Sequence, residues 1–184
     1  MSKTFPGTTI ELLSLEKGSS RSLFNGLFAA GGITLSQVSV MTGLEPYLIQ
    51  NWVKRGFVSS PVKRLYSREQ FARIVIINML REALQIEKIC SLIRVISGVL
   101  EDTSDDLISD EELYHRYVDM VSDIDINVTD ASSVLAAAES AAFGFEERIP
   151  DAKHKLIKIL QVMLYAHTAS RLRDSASELL ASLQ

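Results

Sequence analysis

The stretch from Thr34 to Tyr66, TLSQVSVMTGLEPYLIQNWVKRGFVSSPVKRLY, decides the predicted fold. Its first part, Thr34 to Met41, predicts a helix, because Thr34 can cap the first turn and apolar residues recur every three positions. These apolar residues are Leu35, Val38 and Met41. Gly43 follows at once and suits a tight turn between two helices, since glycine tolerates a positive φ. The sequence therefore predicts a helix that leads through a short turn into a second helix.

The second predicted helix spans residues 46–55 and has two opposite faces. Pro46 falls in its first turn, where the missing N–H costs nothing. At 100° per residue, the apolar side chains fill one arc and the polar ones fill the other. The apolar arc holds Leu48, Ile49, Trp52 and Val53, and the polar arc holds Tyr47, Gln50, Asn51, Lys54 and Arg55. The apolar arc can pack on the first helix, so the polar arc must face water or a partner.

A short basic hairpin is predicted to follow over residues 57–66. Gly56 ends the helix, residues 57–58 and 63–66 have the composition of two strands, and Ser59-Ser60-Pro61 suits the turn. Lys63 and Arg64 lie near the tip, where a two-stranded ribbon can contact phosphates. Two helices, a glycine turn and a basic ribbon in this order predict a winged helix-turn-helix. The alternative is a small helical hairpin whose polar face is only solvated.

Amides and cations on the second helix suit the major groove of duplex DNA. Amides pair with adenine, and cations pair with guanine or phosphate. We therefore predict that helix 46–55 reads the major groove and that wing 57–66 contacts phosphates. The predicted contact residues are Tyr47, Gln50, Asn51, Lys54, Arg55, Lys63, Arg64 and Arg68.

From Gly43 to Tyr66 the sequence resembles a MerR-type winged helix. The segment GLEPYLIQNWVKRGF matches that family's pattern of a glycine, a Ser/Asp-Pro dipeptide, an isoleucine, aromatics, a basic residue and a glycine before the wing. Residues 51–93, NWVKRGFVSSPVKRLYSREQFARIVIINMLREALQIEKICSLI, more closely resemble a Firmicutes group of MerR-like proteins carried as a domain of unknown function. The resemblance covers residues 30–100 and implies a bacterial DNA-binding protein, a transcriptional regulator in the MerR case.

The second helix also departs from the MerR pattern. MerR regulators commonly have Arg-Tyr-Tyr-Glu where this sequence has Gln50-Asn51-Trp52-Val53. The Trp-aliphatic-Lys-x-Gly pattern of residues 52–56 is also similar to phage excisionase-type domains. The alternative to a transcriptional regulator is therefore a protein-interaction module, or an architectural module that bends DNA.

Charge is distributed unevenly along the chain. Residues 1–100 contain 12 Lys and Arg against 6 Asp and Glu, whereas residues 101–184 contain 7 against 17. A basic first half suits a polyanion-binding surface, and DNA should repel the acidic second half. The predicted fold is mainly α, with an N-terminal helical extension (1–32), a MerR-like winged helix-turn-helix (33–100) and an acidic all-α domain (101–184).

The helix after the wing is predicted to be the centre of the core. Ser67 and Gln70 fit a capping box, and the helix that they start runs to about Leu84 with apolar residues on most sides. Arg68, Arg73 and Arg81 are expected at the surface, where Arg68 is near enough to the wing to reach a phosphate. Other helices are predicted around Leu23–Phe28, Ile86–Leu100, Asp110–Ser122, Asp130–Phe143 and Pro150–Leu183.

The last predicted helix, of about 30 residues, would span roughly 45 Å. Its leucines from Leu172 onward are out of phase with the apolar side that starts at Leu156, which argues against one uninterrupted heptad seam. The helix can brace its own domain or pair with its counterpart in a second chain. We expect a homodimer, because two-fold symmetry doubles the length of DNA that is read. The acidic helical domain is the expected place for an unknown effector.

The sequence predicts no enzyme. His115, His154 and His167 lie far apart and are expected at the surface or half-buried, and no G-x-S-x-G elbow occurs. Asp123 and Asp125 resemble the start of a calcium loop, but the glycine and glutamate that such a loop needs are replaced by valines. We therefore predict neither a metal nor a cofactor.

The remaining composition predicts a cytoplasmic protein with no membrane association. Of its 184 residues, 47% are apolar, but the longest apolar runs fall far short of the roughly 20 residues of a membrane span. Cys90, the single cysteine, cannot form an internal disulfide and is expected in the core. The first 32 residues lack the charged start and apolar centre of a signal peptide.

Overall fold

The computed structural model describes residues 3–97, 106–122 and 126–183. Within these ranges the protein is mainly helical, as predicted, with two small antiparallel sheets. In chain order the elements are β1 (Lys3–Thr4), β2 (Glu11–Leu12), α1 (Ser19–Leu27), β3 (Ile33–Thr34), α2 (Leu35–Thr42), α3 (Pro46–Lys54), β4 (Leu65–Tyr66), α4 (Arg68–Leu80), α5 (Ile86–Ser97), α6 (Asp110–Val121), α7 (Ala131–Ala141) and α8 (Ala152–Ala181). The predictions that concern Leu100, residues 101–105, Asp123 and Asp125 lie outside the described residues.

Helix α4 lies at the centre of the fold. Ten of its 13 residues are buried, so α4 lacks the continuous polar face that a surface helix exposes to solvent. Helices α2, α6 and α8 pack against it from different directions. The predicted capping box starts the helix: Gln70 N–H donates to Ser67 Oγ (3.2 Å), and Ser67 N–H donates to Gln70 Oε1 (2.8 Å). The core that surrounds α4 is continuous from Phe5 to Ala166.

The expectation that Arg73 lies at the surface is wrong. Its side chain is buried, and its Nε donates a hydrogen bond to Asp110 Oδ2 at 2.7 Å while Nη2 donates to Ser97 Oγ. A buried guanidinium persists only where a carboxylate pairs with it. Burial raises the pKa of Asp110 to about 6, and the charge of Arg73 acts in the opposite direction. The pair joins α4 to α6 inside the core.

The expectation for His115 is also wrong, because this side chain is buried on α6. Its Nδ1 lies 2.9 Å from Ser20 Oγ, and its Nε2 lies 3.2 Å from a carboxylate oxygen of Glu111. Burial lowers the pKa of His115, and the hydrogen bond to Glu111 acts in the opposite direction. His167 is half-buried, as expected, and its Nδ1 lies 2.7 Å from the Tyr117 hydroxyl oxygen.

The predicted strand pairing within the wing is wrong as well. Strand β4 pairs with β3, whereas residues 57–58 form no strand. The end of α3 explains the difference. Gly56 has a φ of 73°, and the N–H groups of Phe57 and Val58 both donate to the carbonyl oxygen of Trp52, at 2.9 and 3.4 Å. The Phe57 bond and the bond from Gly56 N–H to the Val53 carbonyl oxygen (3.0 Å) form a Schellman-type helix end, so the N–H groups of Phe57 and Val58 are not free for a β ladder.

The helix ends differ from the predictions by a few residues. Helix α3 ends at Lys54, one residue before the predicted end, and α8 begins at Ala152, two residues after Pro150. Within the described ranges, no helix is both long and apolar enough to cross a membrane.

Gly32 tests the pairing of β3 with β4, because a Cβ atom there would lie 2.7 Å from Leu65 Cβ and 2.9 Å from the Tyr66 carbonyl oxygen. We expect Gly32→Ala to lower the free energy of unfolding by about 1–3 kcal/mol in a urea titration. Gly26→Ala is the control, because among the described residues nothing lies within 4 Å of its added Cβ. Alanine favours the helix there by roughly 0.5–1 kcal/mol. Equal stability of the two variants would contradict the pairing.

Candidate nucleic-acid interface

Helices α2 and α3 are joined by a three-residue turn. Gly43 takes the left-handed conformation there, with a φ of 68°. Residues outside α2 donate hydrogen bonds to the carbonyl oxygens at its end. Thr9 donates from its N–H to the Met41 carbonyl oxygen and from its hydroxyl to the Val40 carbonyl oxygen. Asn78 Nδ2 donates to the Thr42 carbonyl oxygen. The N-terminal residues and α4 therefore fix the position at which the chain turns into α3.

The apolar arc predicted for α3 is confirmed. Ile49 is fully buried and Trp52 is 3% exposed, while Leu48 and Val53 are half-buried against the same core. Helix α2 packs against α3 and contributes Val38, which is also fully buried. Because one side of α3 is held in this way, the orientation of its other side is determined.

The polar side of α3 is exposed along its whole length. Its five predicted contact residues, Tyr47, Gln50, Asn51, Lys54 and Arg55, are all exposed. The Arg55 guanidinium lies 4.6 Å from the centre of the Phe57 ring, a cation–π contact that orients this side chain at the end of the helix. One helix face therefore presents an aromatic ring, two amides and two cations to the surroundings.

Lys63 and Arg64 form the tip of a two-residue turn, which we call the basic turn. Val62 N–H donates to the Leu65 carbonyl oxygen at 3.1 Å, and Leu65 N–H donates to that of Val62 at 2.9 Å. Both tip residues have positive φ, 50° and 67°, and both are exposed. Two-residue hairpin turns with this backbone usually contain Asn-Gly, because other side chains are strained there. The two cations project from the molecule in spite of that strain.

Gln70 holds the loop that leads into the basic turn. Its Nε2 donates to the carbonyl oxygens of Ser59 (3.0 Å) and Ser60 (2.9 Å) and lies 3.0 Å from Ser59 Oγ. Its Oε1 caps α4 at the same time, and the residue is only 8% exposed. The sequence predicted the cap and missed the loop contacts. The residue type could have indicated these contacts. Glutamate would cap the helix equally well, but its carboxylate could not donate hydrogen bonds to the loop.

Arg68 does not belong to the exposed group. Its Nε lies 2.9 Å from each carboxylate oxygen of Glu111, and its Nη2 donates to Glu111 Oε1 at 2.7 Å and to Asn25 Oδ1 at 3.0 Å. The hydrogen bonds to Glu111 raise the pKa of Arg68. A guanidinium whose charge is already neutralised is a poor phosphate ligand, so the structure assigns Arg68 to the contact between α4 and α6.

The first turn of α6 neutralises three arginines of the basic half of the chain. Asp110 binds Arg73, Glu111 binds Arg68, and Glu112 binds Arg21 and also Arg116 of α6 itself. Part of the charge asymmetry therefore stabilises the contact between the two halves. The cations of α3 and of the basic turn remain exposed.

A cavity of about 570 Å³ lies between the start of α4 and the acidic half. Ser59 and Gln70 line it on one side, and Asp110, Arg116 and Arg148 line it from the C-terminal half. The cavity therefore connects the loop that Gln70 holds with residues of the acidic half.

Residues 33–117 match the model of a family described as a domain of unknown function (DUF1836). The match begins at β3 and ends within α6, so it includes α3, the basic turn, Gln70 and the three acidic residues that bind arginines. No match was found among curated proteins or among solved structures.

Substitution of Gln70 tests its role in holding the loop. Gln70→Glu retains the capping oxygen but replaces the amide donor by a carboxylate that faces two carbonyl oxygens. We expect the free energy of unfolding at pH 7 to fall by about 2–4 kcal/mol, measured by urea titration, because buried acceptors lose their donor.

Gln37→Glu is the matched control for Gln70→Glu. Gln37 occupies the same position in the capping box of α2 and is exposed. This variant should be neutral or slightly stabilising, because an acidic residue in the first turn favours a helix. Equal losses of stability in both variants would show that the loop contacts of Gln70 contribute nothing.

Proposed function

We propose that this protein binds duplex DNA through a MerR-like winged helix-turn-helix and acts as a bacterial transcriptional regulator. In this proposal α3 enters the major groove and the basic turn contacts the phosphate backbone. The observation that carries the proposal is the exposed face of α3, where amides and cations lie together on a helix whose opposite side is buried.

The chemistry of that face suits base recognition. Gln50 and Asn51 can each form two hydrogen bonds with adenine, and Arg55 can form two with guanine. Lys54 and the cations of the basic turn supply contacts with phosphates, which provide most of the non-specific affinity of such proteins. Tyr47 adds an exposed ring near the start of the helix. Arg68 has no part in the proposed interface because Glu111 binds it.

The strained basic turn supports the same proposal. Residues in the left-handed conformation destabilise the fold by roughly 1–2 kcal/mol each unless they are glycine. Strain of this kind often marks a functional site. Two cations at the tip are explained if they contact phosphates, because a neutral Asn-Gly turn would not bind phosphate.

A protein-interaction or excisionase-like architectural module is the second candidate function. Its support is the exposed apolar surface beside the cations: Tyr47 is 70% and Val62 is 73% exposed. Aromatic and apolar side chains mixed with cations are typical of protein interfaces. This candidate predicts that the same face binds a protein, or that it binds DNA without preference for sequence.

An effector would be placed best in the cavity between the start of α4 and the acidic half. Its walls come from the loop at Ser59 and from the acidic half, so a bound polar molecule would contact both. We propose the cavity as the effector site of a homodimeric regulator.

Charge reversal tests the proposed interface. We expect Lys54→Glu with Arg64→Glu to weaken binding of the protein to duplex DNA at least about tenfold and to lower the salt slope by about two, since two phosphate contacts are lost. A fluorescence titration against genomic fragments at several salt concentrations measures both quantities.

Lys155→Glu with Lys158→Glu is the matched control, because it makes the same change in net charge at two exposed positions of α8. It should leave the salt slope unchanged. If the Lys54 and Arg64 variant binds no more weakly than this control, the proposed site is wrong and the protein-interaction module is favoured.

Replacement of the basic turn separates binding from stability. We expect Lys63→Asn with Arg64→Gly to raise the free energy of unfolding by about 1–2 kcal/mol, because Asn-Gly suits the positive φ angles. The same variant should bind duplex DNA more weakly and with a lower salt slope. Urea titration and DNA titration of one preparation measure the two effects. Greater stability with unchanged affinity would mean that the cations do not touch phosphate.

A further inference from the structure

The cavity between the start of α4 and the acidic half has walls from three distant parts of the chain. The loop at Ser59 and the first turns of α4 form one wall, and the first turns of α6 form another. The segment between α7 and α8 contributes Phe145 and Glu146 to the third. Sites for small organic ligands usually measure roughly 300–1,000 Å³. The cavity, at about 570 Å³, therefore has room for an organic molecule.

Three polar side chains that line the cavity are buried: Arg73, Ser97 and Asp110. Arg73 donates from Nε to Asp110 Oδ2 at 2.7 Å and from Nη2 to Ser97 Oγ. Within the described residues, Asp110 Oδ1 has no hydrogen-bond partner, although the residue is only 6% exposed. Burial raises the pKa of Asp110 in spite of its pairing with Arg73. A hydrogen-bond donor supplied by a ligand would stabilise the charged carboxylate.

Serine hydroxyls line the cavity on several sides. They belong to Ser59, Ser67, Ser97 and Ser109. Each accepts a hydrogen bond: Ser59 and Ser67 from Gln70, Ser97 from Arg73, and Ser109 from the N–H of Glu112. Among the described residues, none of the four donates one in return. A hydroxyl is a donor as well as an acceptor, so each of these serines can donate to an acceptor atom of a ligand.

The charges around the cavity disfavour an anionic ligand. Among the described residues that line it, five carboxylates outnumber three guanidinium groups. Two of the three guanidinium groups already bind carboxylates, because Arg73 pairs with Asp110 and Arg116 pairs with Glu112. A phosphate or carboxylate would therefore meet more repulsion than attraction. A simple amine would bind the carboxylates but would leave the serine hydroxyls without acceptors.

We infer that the cavity binds an uncharged polyhydroxy compound, a sugar or a sugar alcohol. Hydroxyl groups both donate and accept, so they can donate to Asp110 Oδ1 and Glu146 and accept from Ser59 and Ser97. The C–H groups of such a compound can pack against Phe145, which also lines the cavity. Among the ligand classes considered, only this one matches both the unused acceptor of Asp110 and the unused donors of the serines.

This inference deepens the proposed function and rests on it only in giving the ligand the role of an effector. Binding of a sugar is measured without DNA. If no sugar binds, the DNA titrations of the Lys54 and Arg64 variant still decide the proposed function. If a sugar binds and DNA does not, the cavity keeps its ligand and the regulator is wrong.

Isothermal titration calorimetry of the full chain tests the ligand class. The probes are D-glucose, D-ribose, maltose and D-sorbitol. We expect at least one of them to bind with a Kd below about 1 mM. The phosphorylated form of that compound should bind at least about tenfold more weakly, because the carboxylates repel it. Binding of none of the four, or tighter binding of the phosphorylated form, would overturn the inference.

Ser59→Ala with Glu146→Ala tests the position of the site. We expect this variant to bind the same compound roughly tenfold more weakly, because two hydrogen bonds to the ligand are lost. Ser60→Ala with Glu147→Ala is the matched control, since these neighbouring residues are exposed and do not line the cavity. The control should bind as tightly as the wild type. Equal affinities of the two variants would overturn the inference.

Discussion

The structure depends on the need to cover α4 on every side. A helix with the sequence of Phe71–Leu80 would expose apolar surface wherever a neighbour was missing, so the remaining helices must surround it. Helices α2, α6 and α8 do so, although they come from distant parts of the chain. The segment from β3 to β4 and the acidic half therefore share one core. Because α4 is surrounded, its polar side chains can form hydrogen bonds with several neighbouring elements and so fix the positions of those elements.

Two amides of α4 connect this core to the candidate interface. Gln70 holds the loop before the basic turn. Asn78 donates hydrogen bonds to the carbonyl oxygen of Gly7 and to that of Thr42, which precedes the turn between α2 and α3. The recognition elements of the proposed regulator are thus positioned from one central helix. Gln70 also lines the cavity between the start of α4 and the acidic half. A molecule bound there would act on the proposed DNA contact through that same side chain.

The arginines show how burial divides one type of residue between two roles. Arg68 and Arg73 bind carboxylates at the start of α6 and join the halves of the molecule. Arg55 and Arg64 face solvent and supply charge to the proposed interface. On composition alone, all four arginines would contribute to the positive charge of the first half of the chain. An arginine already paired with a carboxylate adds little to the attraction of a polyanion, so the effective basic surface is smaller than the sequence suggests.

The sequence by itself determined the local features: the mainly helical class, the cap at Ser67, the turn at Gly43 and the division of α3 into buried and exposed sides. Each depends on residues within about one or two helical turns, so periodicity and capping rules are sufficient. Only the tertiary structure decided that β4 pairs with β3 and that Arg68 and Arg73 bind α6. These features depend on which distant segments meet around α4, and hydrophobic spacing along one segment carries no information about the partner that covers it.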